Sequence, residues 1–431
     1  MRRPLFILAI SACFTALQIS AAVVLAPSGD EPLSKYQQVS PPEGWQDSVA
    51  EYPDLLKKYL RLNNWDSLRY FEIARNGYHS PAPELLSRED LEKFRANVVF
   101  FPGYPILARI LSQVTGAAIQ IALLLVAHLS TFAFWIFFFG FLQVLKLDRV
   151  SSSLLGLWVL AFPTAFYMTM GYSESLFLAC MMGYIYGTET AVTASSRTRG
   201  FRIVAWSLTG LLGFGMCSTR LMGLPILLYP VLRQWAQNRY SGERPPSSMR
   251  KDLSWAVAAT GIAFLGTAGF FLFCQLEFGR WDFYMISSRV GWGVYQDPWA
   301  VFRPLNYLPR FFFETTELSL DRSIAPMTMI GLLLAMRSDP AWKVRAGFYF
   351  SVICMHYLLV SSKAHADFIS VARHGHTLFI LLALAFAHQP GFSLRWNPRS
   401  RRFWGYAFLL LLLLAIQIYM TIRFTRGRWV E

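Results

Sequence analysis

The sequence has little charge for its length. Charged residues make up 15% of its 431 residues and apolar residues 54%, whereas a soluble chain needs roughly a quarter charged residues to cover its surface. Long apolar runs recur along the whole chain, so the apolar residues are spread over many spans and do not form one core. The composition predicts an all-α polytopic membrane protein and excludes an ordinary soluble enzyme.

Motifs for common cofactors are also missing. The five cysteines all fall inside apolar stretches, where a free cysteine behaves as a small hydrophobe, and none forms a CxxC metal pair. The chain has no glycine-rich phosphate loop and no Asp-x-Asp pair of the kind that holds a metal and a nucleotide-sugar diphosphate. We therefore predict no cofactor, and no motif supports a divalent metal.

The positive net charge has a simple explanation. Forty basic and 26 acidic residues give a formal net charge of +14, which could suggest a nucleic-acid partner. The basic residues, however, mostly cluster in short segments between apolar runs, as the positive-inside rule requires of cytoplasmic loops. We expect membrane lipids as partners and no nucleic acid.

The amino terminus sets the predicted topology. Arg2 and Arg3 precede an apolar run to Ala26, and the segment ending at Cys13 resembles a lipoprotein cleavage box. The apolar run continues past Cys13 and is about 22 residues long in all. A retained transmembrane helix is therefore favoured over a cleaved signal peptide. With both arginines cytoplasmic, this helix delivers the polar segment 27–97 to the outside.

Hydropathy predicts a single domain, residues 1–431, of about eleven crossings. The segment 98–114 has early prolines and a central arginine, which are typical of an interfacial or re-entrant helix. A second large outer loop is predicted at 277–322. Leu221–Leu232 is the shortest predicted span and the one that hydropathy supports least. The later predicted spans are Ala117–Leu145, Leu154–Met170, Ser175–Tyr186, Val204–Thr219, Leu221–Leu232, Trp255–Leu276, Ile324–Met336, Phe348–Ser361, His376–His388 and Trp404–Ile422.

The first candidate motif lies in the first outer loop, where Trp65 and Asp66 are followed by Arg69 and Tyr70. A carboxylate beside an aromatic ring at a membrane surface could act as a general base, because partial desolvation raises its proton affinity and the ring can stack on a sugar. The alternative is structural: Asp66 could be the N-cap of a short helix. Local sequence alone favours the cap.

Two further outer segments carry unusual residues. Tyr104 lies in a Pro-Gly-Tyr-Pro turn that could shape the floor of a site. Tyr172 and Glu174 lie at a predicted helix start, where the positive end of the helix favours an anion. Glu174 could be a plain cap, or it could orient substrate beside Asp66.

Isolated basic residues suggest where an anion could bind. Arg220, between two apolar stretches, needs a partner, and either a lipid phosphate or snorkelling to the headgroups would provide one. Arg373 and His374 lie at another outer helix start, which is a ready anion site. A zinc site from His365, His374 and His376 is conceivable, but the spacing matches no known metal signature, so phosphate is favoured.

Taken in order, these motifs resemble those of the PIG-V-type mannosyltransferases of the GT-C class of membrane glycosyltransferases. The resemblance rests on Trp65-Asp66-Ser67 with Tyr70 and Gly77-Tyr78, on Phe100-Phe101-Pro102 with Tyr104-Pro105, on Tyr172-Ser173-Glu174-Ser175, and on Arg220 with Gly223. It covers roughly residues 60 to 310 and implies a bacterial relative of the family.

The resemblance implies a mechanism. A polyprenyl- or dolichyl-phosphate sugar in the bilayer would be the donor, mannose the sugar, and a lipid or glycan the acceptor. Asp66 would deprotonate the acceptor hydroxyl, which attacks the anomeric carbon with inversion. Arg220, Arg373 and His374 would stabilise the lipid phosphate, and Trp65, Arg69, Tyr70, Tyr104, Tyr172 and Glu174 would help to bind the substrates.

Two other classes compete with this interpretation. A transporter or lipid flippase would require charges inside the spans and an internal repeat, and the sequence shows few such charges and no repeat. A membrane-bound acyltransferase would need a deep histidine as base, and His128 and His356 are better explained as hydrogen-bonded packing residues. The chain has no Asn-x-Ser/Thr sequon, which favours a bacterial cytoplasmic membrane with an extracytoplasmic site over the endoplasmic reticulum.

Overall fold

The computed structural model describes residues 3–28, 45, 52–79, 97–193, 198–240, 246–294, 296–307, 320–364, 368, 370–389, 392, 394, 400–428 and 430. Every regular element in these ranges is helical, which confirms the all-α prediction. The α-helices are α1 (Arg3–Leu25), α2 (Asp54–Leu60), α3 (Asp66–Asn76), α4 (Gly103–Thr115), α5 (Ile119–Val144), α6 (Arg149–Leu160), α7 (Glu174–Thr193), α8 (Arg199–Thr219), α9 (Tyr229–Tyr240), α10 (Pro246–Phe278), α11 (Phe283–Trp292), α12 (Asp321–Ser338), α13 (Ala346–Lys363), α14 (Val371–Ala387) and α15 (Arg401–Thr425).

Within the described ranges, five helices are long and apolar enough to cross a membrane, namely α1, α5, α8, α10 and α15. Three shorter helices, α6, α12 and α14, are also apolar. The protein is therefore a multi-pass membrane protein, as its composition predicts. The count of about eleven crossings and the bounds of the two large loops stay predictions. Much of the first loop and residues 308–319 of the second lie outside the described residues.

The centre of the bundle is rich in aromatic side chains. Phe134, Trp135 and Phe138 of α5 are fully buried and pack edge-on or stacked at centroid distances of 5.0 to 5.8 Å. Gln18 of α1 accepts a 2.8 Å hydrogen bond from the Trp135 indole. In an apolar setting such an interhelical hydrogen bond satisfies two polar groups at once and fixes the rotation of α1 against α5.

The predicted span Leu221–Leu232 is not a single helix. It contains a 3-10 helix, Leu221–Ile226, with Pro225 inside it, and α9 begins only at Tyr229. Proline lacks the N–H group that an α-helix interior needs, so a regular helix cannot run through this segment.

The same segment runs alongside α7. Arg220 pairs with Glu174 at the start of α7, whereas Arg233 pairs with Glu189 on the same helix. The fifteen residues from Glu174 to Glu189 correspond to about 22 Å of helix at 1.5 Å per residue. The segment therefore extends over about this distance with an irregular backbone that lies against other helices, and its crossing of the membrane stays a prediction.

A second predicted span, Leu154–Met170, is also interrupted. Helix α6 ends at Leu160, and a 3-10 helix over Ala165–Thr169 follows. Half of the residues of α6 and all five residues of the 3-10 helix are buried. The hydroxyl of Thr131 on α5 donates to the carbonyl of Met168 at 2.6 Å, so a neighbouring side chain satisfies backbone that the broken helix leaves open.

Helices α8 and α10 approach each other closely at Gly266. A Cβ atom there would lie 2.5 Å from the carbonyl oxygen of Phe214 and 2.7 Å from the amide nitrogen of Ser218. Both contacts are to backbone, which cannot move aside as a flexible side chain can. Small residues at such crossings let helix backbones touch in a membrane.

We expect Gly266→Ala to destabilise the protein, because the methyl group would push α10 away from α8. Gly269→Ala is the matched control: it lies one turn further along α10 with nothing within 4 Å of its Cβ position. Alanine favours a helix over glycine by roughly 1 kcal/mol, so the control variant should be as stable as the parent or slightly more so. Thermal unfolding in detergent compares the three proteins, and an unchanged Gly266→Ala variant would contradict the close contact.

Candidate active site

The segment before α3 has an unusual backbone conformation. Trp65 occupies the N-cap position of α3 with φ +50° and ψ −106°, a region that residues other than glycine rarely adopt. Asp66 is the first residue of the helix, and its side chain accepts a hydrogen bond from Arg373. The expectation that Asp66 is an N-cap is therefore wrong. Residues held in such conformations concentrate at functional sites.

Helix α3 is fixed against the segment that precedes α7. The Ser67 hydroxyl donates to the carbonyl of Gly171 at 2.9 Å, and the Gly171 amide donates to the carbonyl of Leu62 at 3.1 Å. The amide of Asp66 donates to the Tyr172 hydroxyl at 3.2 Å. These bonds join two segments about a hundred residues apart and hold the Asp66 backbone in one position.

Two carboxylates and two guanidinium groups meet beside this contact. Arg373 Nη1 lies 2.6 Å from Asp66 Oδ2, and Arg373 Nε lies 2.9 Å from Glu174 Oε1. Arg220 Nη1 lies 2.6 Å from the same Glu174 oxygen. We call Asp66, Glu174, Arg220 and Arg373 the charge cluster. All four side chains are 8 to 13% exposed, so each charge depends on its partners for compensation.

Aromatic groups and a histidine complete the surroundings of the charge cluster. The Arg373 guanidinium lies 5.3 Å from the ring centroid of Tyr172 and 5.6 Å from that of Tyr167, which is within range of a cation–π interaction. Arg220 Nη2 lies 3.2 Å from Nδ1 of His374. Because an arginine cannot accept a hydrogen bond, Nδ1 is the acceptor and this nitrogen is unprotonated.

Tyr70 connects α3 to the same region. Its hydroxyl lies 2.7 Å from the Ser173 hydroxyl, and Ser173 in turn accepts from Arg220 at 3.3 Å. Burial raises the pKa of Tyr70 above its usual value, and Glu174 and Asp66 act in the same direction against the opposing effect of Arg220. The phenol is therefore neutral and keeps its proton for hydrogen bonding.

A cleft with a volume of about 920 Å³ opens in front of the charge cluster. Its lining includes the charged side chains of Asp66, Arg69, Arg220, Lys363 and Arg373. Its lining also includes apolar side chains, namely Val99, Phe100, Phe101, Leu221, Met222, Tyr284, Ile286, Trp292, Leu358 and Leu359. A cleft of this size that is lined by both basic and apolar side chains fits an amphiphilic ligand with an anionic group.

The structure separates the predicted site residues into two groups. Seven line the cleft: Trp65, Asp66, Arg69, Tyr70, Arg220, Arg373 and His374. Glu174 and Tyr172 lie behind this lining and hold Arg373 and Arg220 from within the protein.

Tyr104 also lies away from the cleft. Its hydroxyl donates to the carbonyl of Leu123 at 2.7 Å, and its ring packs edge-on against Tyr70 with centroids 5.0 Å apart. Because the side chain is fully buried, its contribution is to support Tyr70. The predicted role for Tyr104 in shaping the site is thus indirect.

Several lining residues were not predicted from the sequence. Lys363 ends α13, and Arg289, Trp292 and Gln296 come from α11 and the residues that follow it. Lys363 could have been recognised as an isolated charge directly after an apolar helix. Trp292 lies in a segment, Gly291-Trp292, that resembles a loop of bacterial relatives of the PIG-V-type family. No sequence signal pointed to Arg289 or Gln296, because only packing brings the second outer loop over the first.

The histidines are divided between the cleft and the core. His376 is buried, with Nε2 3.2 Å from the carbonyl of Val159, and His365 lies outside the described residues. Within the described ranges no group of three potential metal ligands comes together.

His128 and His356 are distant from the cleft lining. His128 lies between the Tyr59 hydroxyl at 3.1 Å and the Thr169 carbonyl at 3.0 Å. His356 lies between the hydroxyls of Tyr307 and Thr328, at 3.2 and 2.8 Å. Both are hydrogen-bonded packing residues, as predicted, and the geometry gives neither the open position that an acyltransfer base needs.

Comparison with known proteins finds similarity at the level of structure alone. No protein-family model and no curated protein matches the chain. Among solved structures the chain is similar to the apo form of the Archaeoglobus fulgidus oligosaccharyltransferase, with a TM-score of 0.47 and 12% sequence identity over 99% of this chain and 56% of that chain. This chain thus spans little more than half the length of that enzyme. Membership of the PIG-V-type family stays a prediction.

Proposed function

We propose that the protein is a GT-C glycosyltransferase that moves a hexose from a polyprenyl-phosphate donor to a lipid or glycan acceptor. The observation that carries this proposal is the position of Asp66. Asp66 lies in the lining of a large cleft that contains both basic and apolar side chains. A base beside anion-binding and apolar groups is the arrangement that a lipid-phosphate sugar requires.

Asp66 has the geometry of a general base. Arg373 holds Oδ2, and no described residue donates a hydrogen bond to Oδ1, so Oδ1 is free to accept the proton of an acceptor hydroxyl. The acceptor oxygen forms a bond to the anomeric carbon while the bond from that carbon to the phosphate oxygen breaks. The proton goes to Asp66 and the electron pair to the lipid phosphate. Attack from the face opposite the leaving group inverts the configuration.

The basic side chains compensate the leaving group. As the bond breaks, negative charge develops on the lipid phosphate, and cations fixed in a partly dry cleft stabilise it without reorganisation. Arg220 and Arg373 are the cations proposed for this part of the cleft, and the neutral His374 beside Arg220 can donate a hydrogen bond from Nε2. A phosphate is already a good leaving group, so no second carboxylic acid is required, in contrast to glycoside hydrolysis. Trp65 offers a ring on which the sugar can stack.

The orientation of α1 supports an extracytoplasmic site. Its carboxyl-terminal residues Ala22 and Val23 lie in one apolar cluster with Leu62 and Tyr172, beside the candidate site. Arg2 and Arg3 precede the other end of the same helix, and basic residues favour the cytoplasmic side. A donor that is embedded in the membrane is available on that outer side. A bacterial cytoplasmic membrane and mannose as the sugar rest on the sequence motifs alone.

Sugar transfer by the purified protein tests the proposal. Purified protein is incubated with radiolabelled polyprenyl-phosphate mannose, or with the glucose equivalent, and with a lipid extract as acceptor. We expect the label to move from the donor to a product of different mobility, with free polyprenyl phosphate as the second product. A flippase would bind the same donor and return it unchanged, so intact donor after prolonged incubation with each sugar would contradict the proposed activity.

A further inference from the structure

Three guanidinium groups that line the cleft, those of Arg69, Arg220 and Arg373, are already paired with carboxylates. Arg373 contacts both Asp66 and Glu174, and Arg220 contacts Glu174. Arg69 Nη1 lies 3.3 Å from Glu72 Oε2. An anion that enters the cleft must compete with a carboxylate for each of these groups, and in a site of low dielectric that competition is costly.

Lys363 differs from these arginines. It is the last residue of α13 and lines the cleft, yet no carboxylate of the described residues lies within 4.0 Å of its Nζ. The charged groups that act on it are Arg373, Arg220, Asp321 and Asp66. A cation held inside a protein without a close counter-ion is unfavourable, so the position is prepared for a negative charge that the described residues do not supply.

Asp321, which acts more strongly on Lys363 than Asp66 does, is occupied by backbone. Its carboxylate accepts a hydrogen bond from the amide of Ser370 at 3.0 Å and another from the amide of Ala372, at the start of α14. It thus satisfies N–H groups that the first turn of a helix leaves open. This use of Asp321 leaves Lys363 available to a ligand.

The same face of α13 offers an apolar surface beside the lysine. Leu359 lies four residues before Lys363, and residues four apart lie above one another on a helix. Leu358, Leu359 and Lys363 all line the cleft, and Leu221 and Met222 belong to the same lining. A ligand with a negative group followed by a hydrocarbon chain matches this sequence of surfaces better than a free anion does.

We propose that Lys363 binds the phosphoryl group of the anionic lipid that serves as donor, with the lipid chain lying along Leu359 and its apolar neighbours. This deepens the proposed function and rests on it. The ammonium group keeps its proton throughout and compensates the charge on the phosphate oxygen from which the sugar departs. Arg373 then serves as the positioning residue that holds the Asp66 carboxylate.

Binding of sugar-free lipid tests the proposal apart from transfer. The probe is radiolabelled polyprenyl phosphate, presented in detergent micelles to the purified full chain. We expect Lys363→Met to weaken binding about tenfold to a hundredfold, which is the effect of losing one charge-assisted hydrogen bond. Lys363→Arg should retain most of the binding. Lys343→Met is the matched control, because Lys343 is exposed just before the opposite end of α13 and should bind as the parent does.

The outcomes separate the two proposals. If the parent protein transfers sugar and binds polyprenyl phosphate, but Lys363→Met binds it equally well, the role of Lys363 is refuted and the proposed function stands. If the parent protein neither binds this lipid nor transfers its sugar, the proposed function itself is refuted. Competition by inorganic phosphate separates the contribution of the phosphoryl group from that of the lipid chain. We expect inorganic phosphate to displace radiolabelled polyprenyl phosphate only at concentrations far above that of the lipid. Displacement at equal concentrations would contradict the role of the apolar surface.

Discussion

Asp66→Asn is expected to lower the turnover number for sugar transfer by about 10²- to 10⁴-fold, which is the usual contribution of a general base. Asparagine has nearly the same shape as aspartate, and its amide oxygen can still accept the hydrogen bond from Arg373. It cannot take up the proton of the acceptor hydroxyl. The rate is measured with saturating donor, and binding of polyprenyl phosphate is measured in parallel and should persist.

Asp54→Asn is the matched control for this prediction. Asp54 lies twelve residues earlier in the same predicted loop, at the start of α2, with a side chain that is 83% exposed. Its only described ion pair is to Lys57 at 3.9 Å. We expect this variant to transfer sugar as the parent does. Full activity in correctly inserted Asp66→Asn protein would remove Asp66 from the mechanism.

The sequence could indicate which residues are unusual, but it could not indicate which of them pair. Asp66, Glu174, Arg220 and Arg373 all lie at predicted helix ends in an apolar chain, where an isolated charge needs a reason. The charge cluster joins Asp66 to Arg373 across 307 residues. Such a contact depends on how the helices pack, and helical periodicity carries no information about it.

The helix boundaries show which features of the fold hydropathy predicts and which it does not. Long apolar helices such as α5 lie close to their predicted bounds, because length and composition alone decide them. The segment 221–232 is also apolar, but it contains Pro225, and its first half forms a 3-10 helix instead. Tyr104 is one of the predicted site residues, yet its hydroxyl donates to the carbonyl of Leu123. Side-chain direction depends on the partner that packing provides.

Glu174→Gln is expected to lower the stability of the folded protein more than any other single substitution in the site. One oxygen, Oε1, lies 2.6 Å from Arg220 and 2.9 Å from Arg373, so a single carboxylate compensates two buried guanidinium groups. Burial raises the pKa of Glu174, but attraction to Arg220 and Arg373 outweighs this effect and holds the pKa below its usual value, so the side chain is charged. Glutamine removes that charge without changing the shape. Loss of one partner from a buried ion pair typically costs about 3–5 kcal/mol.

The measurement is the apparent midpoint of thermal unfolding in detergent, taken at one scan rate because membrane proteins of this size unfold irreversibly. Asp282→Asn is the control, since Asp282 pairs with Arg280 in an exposed position, with side chains 30% and 52% exposed, and exposed pairs contribute little. We expect a large drop for Glu174→Gln and almost none for Asp282→Asn. Equal midpoints would mean that Arg220 and Arg373 are compensated by water or lipid headgroups when Glu174 is absent. The charge cluster would then not be what positions Asp66.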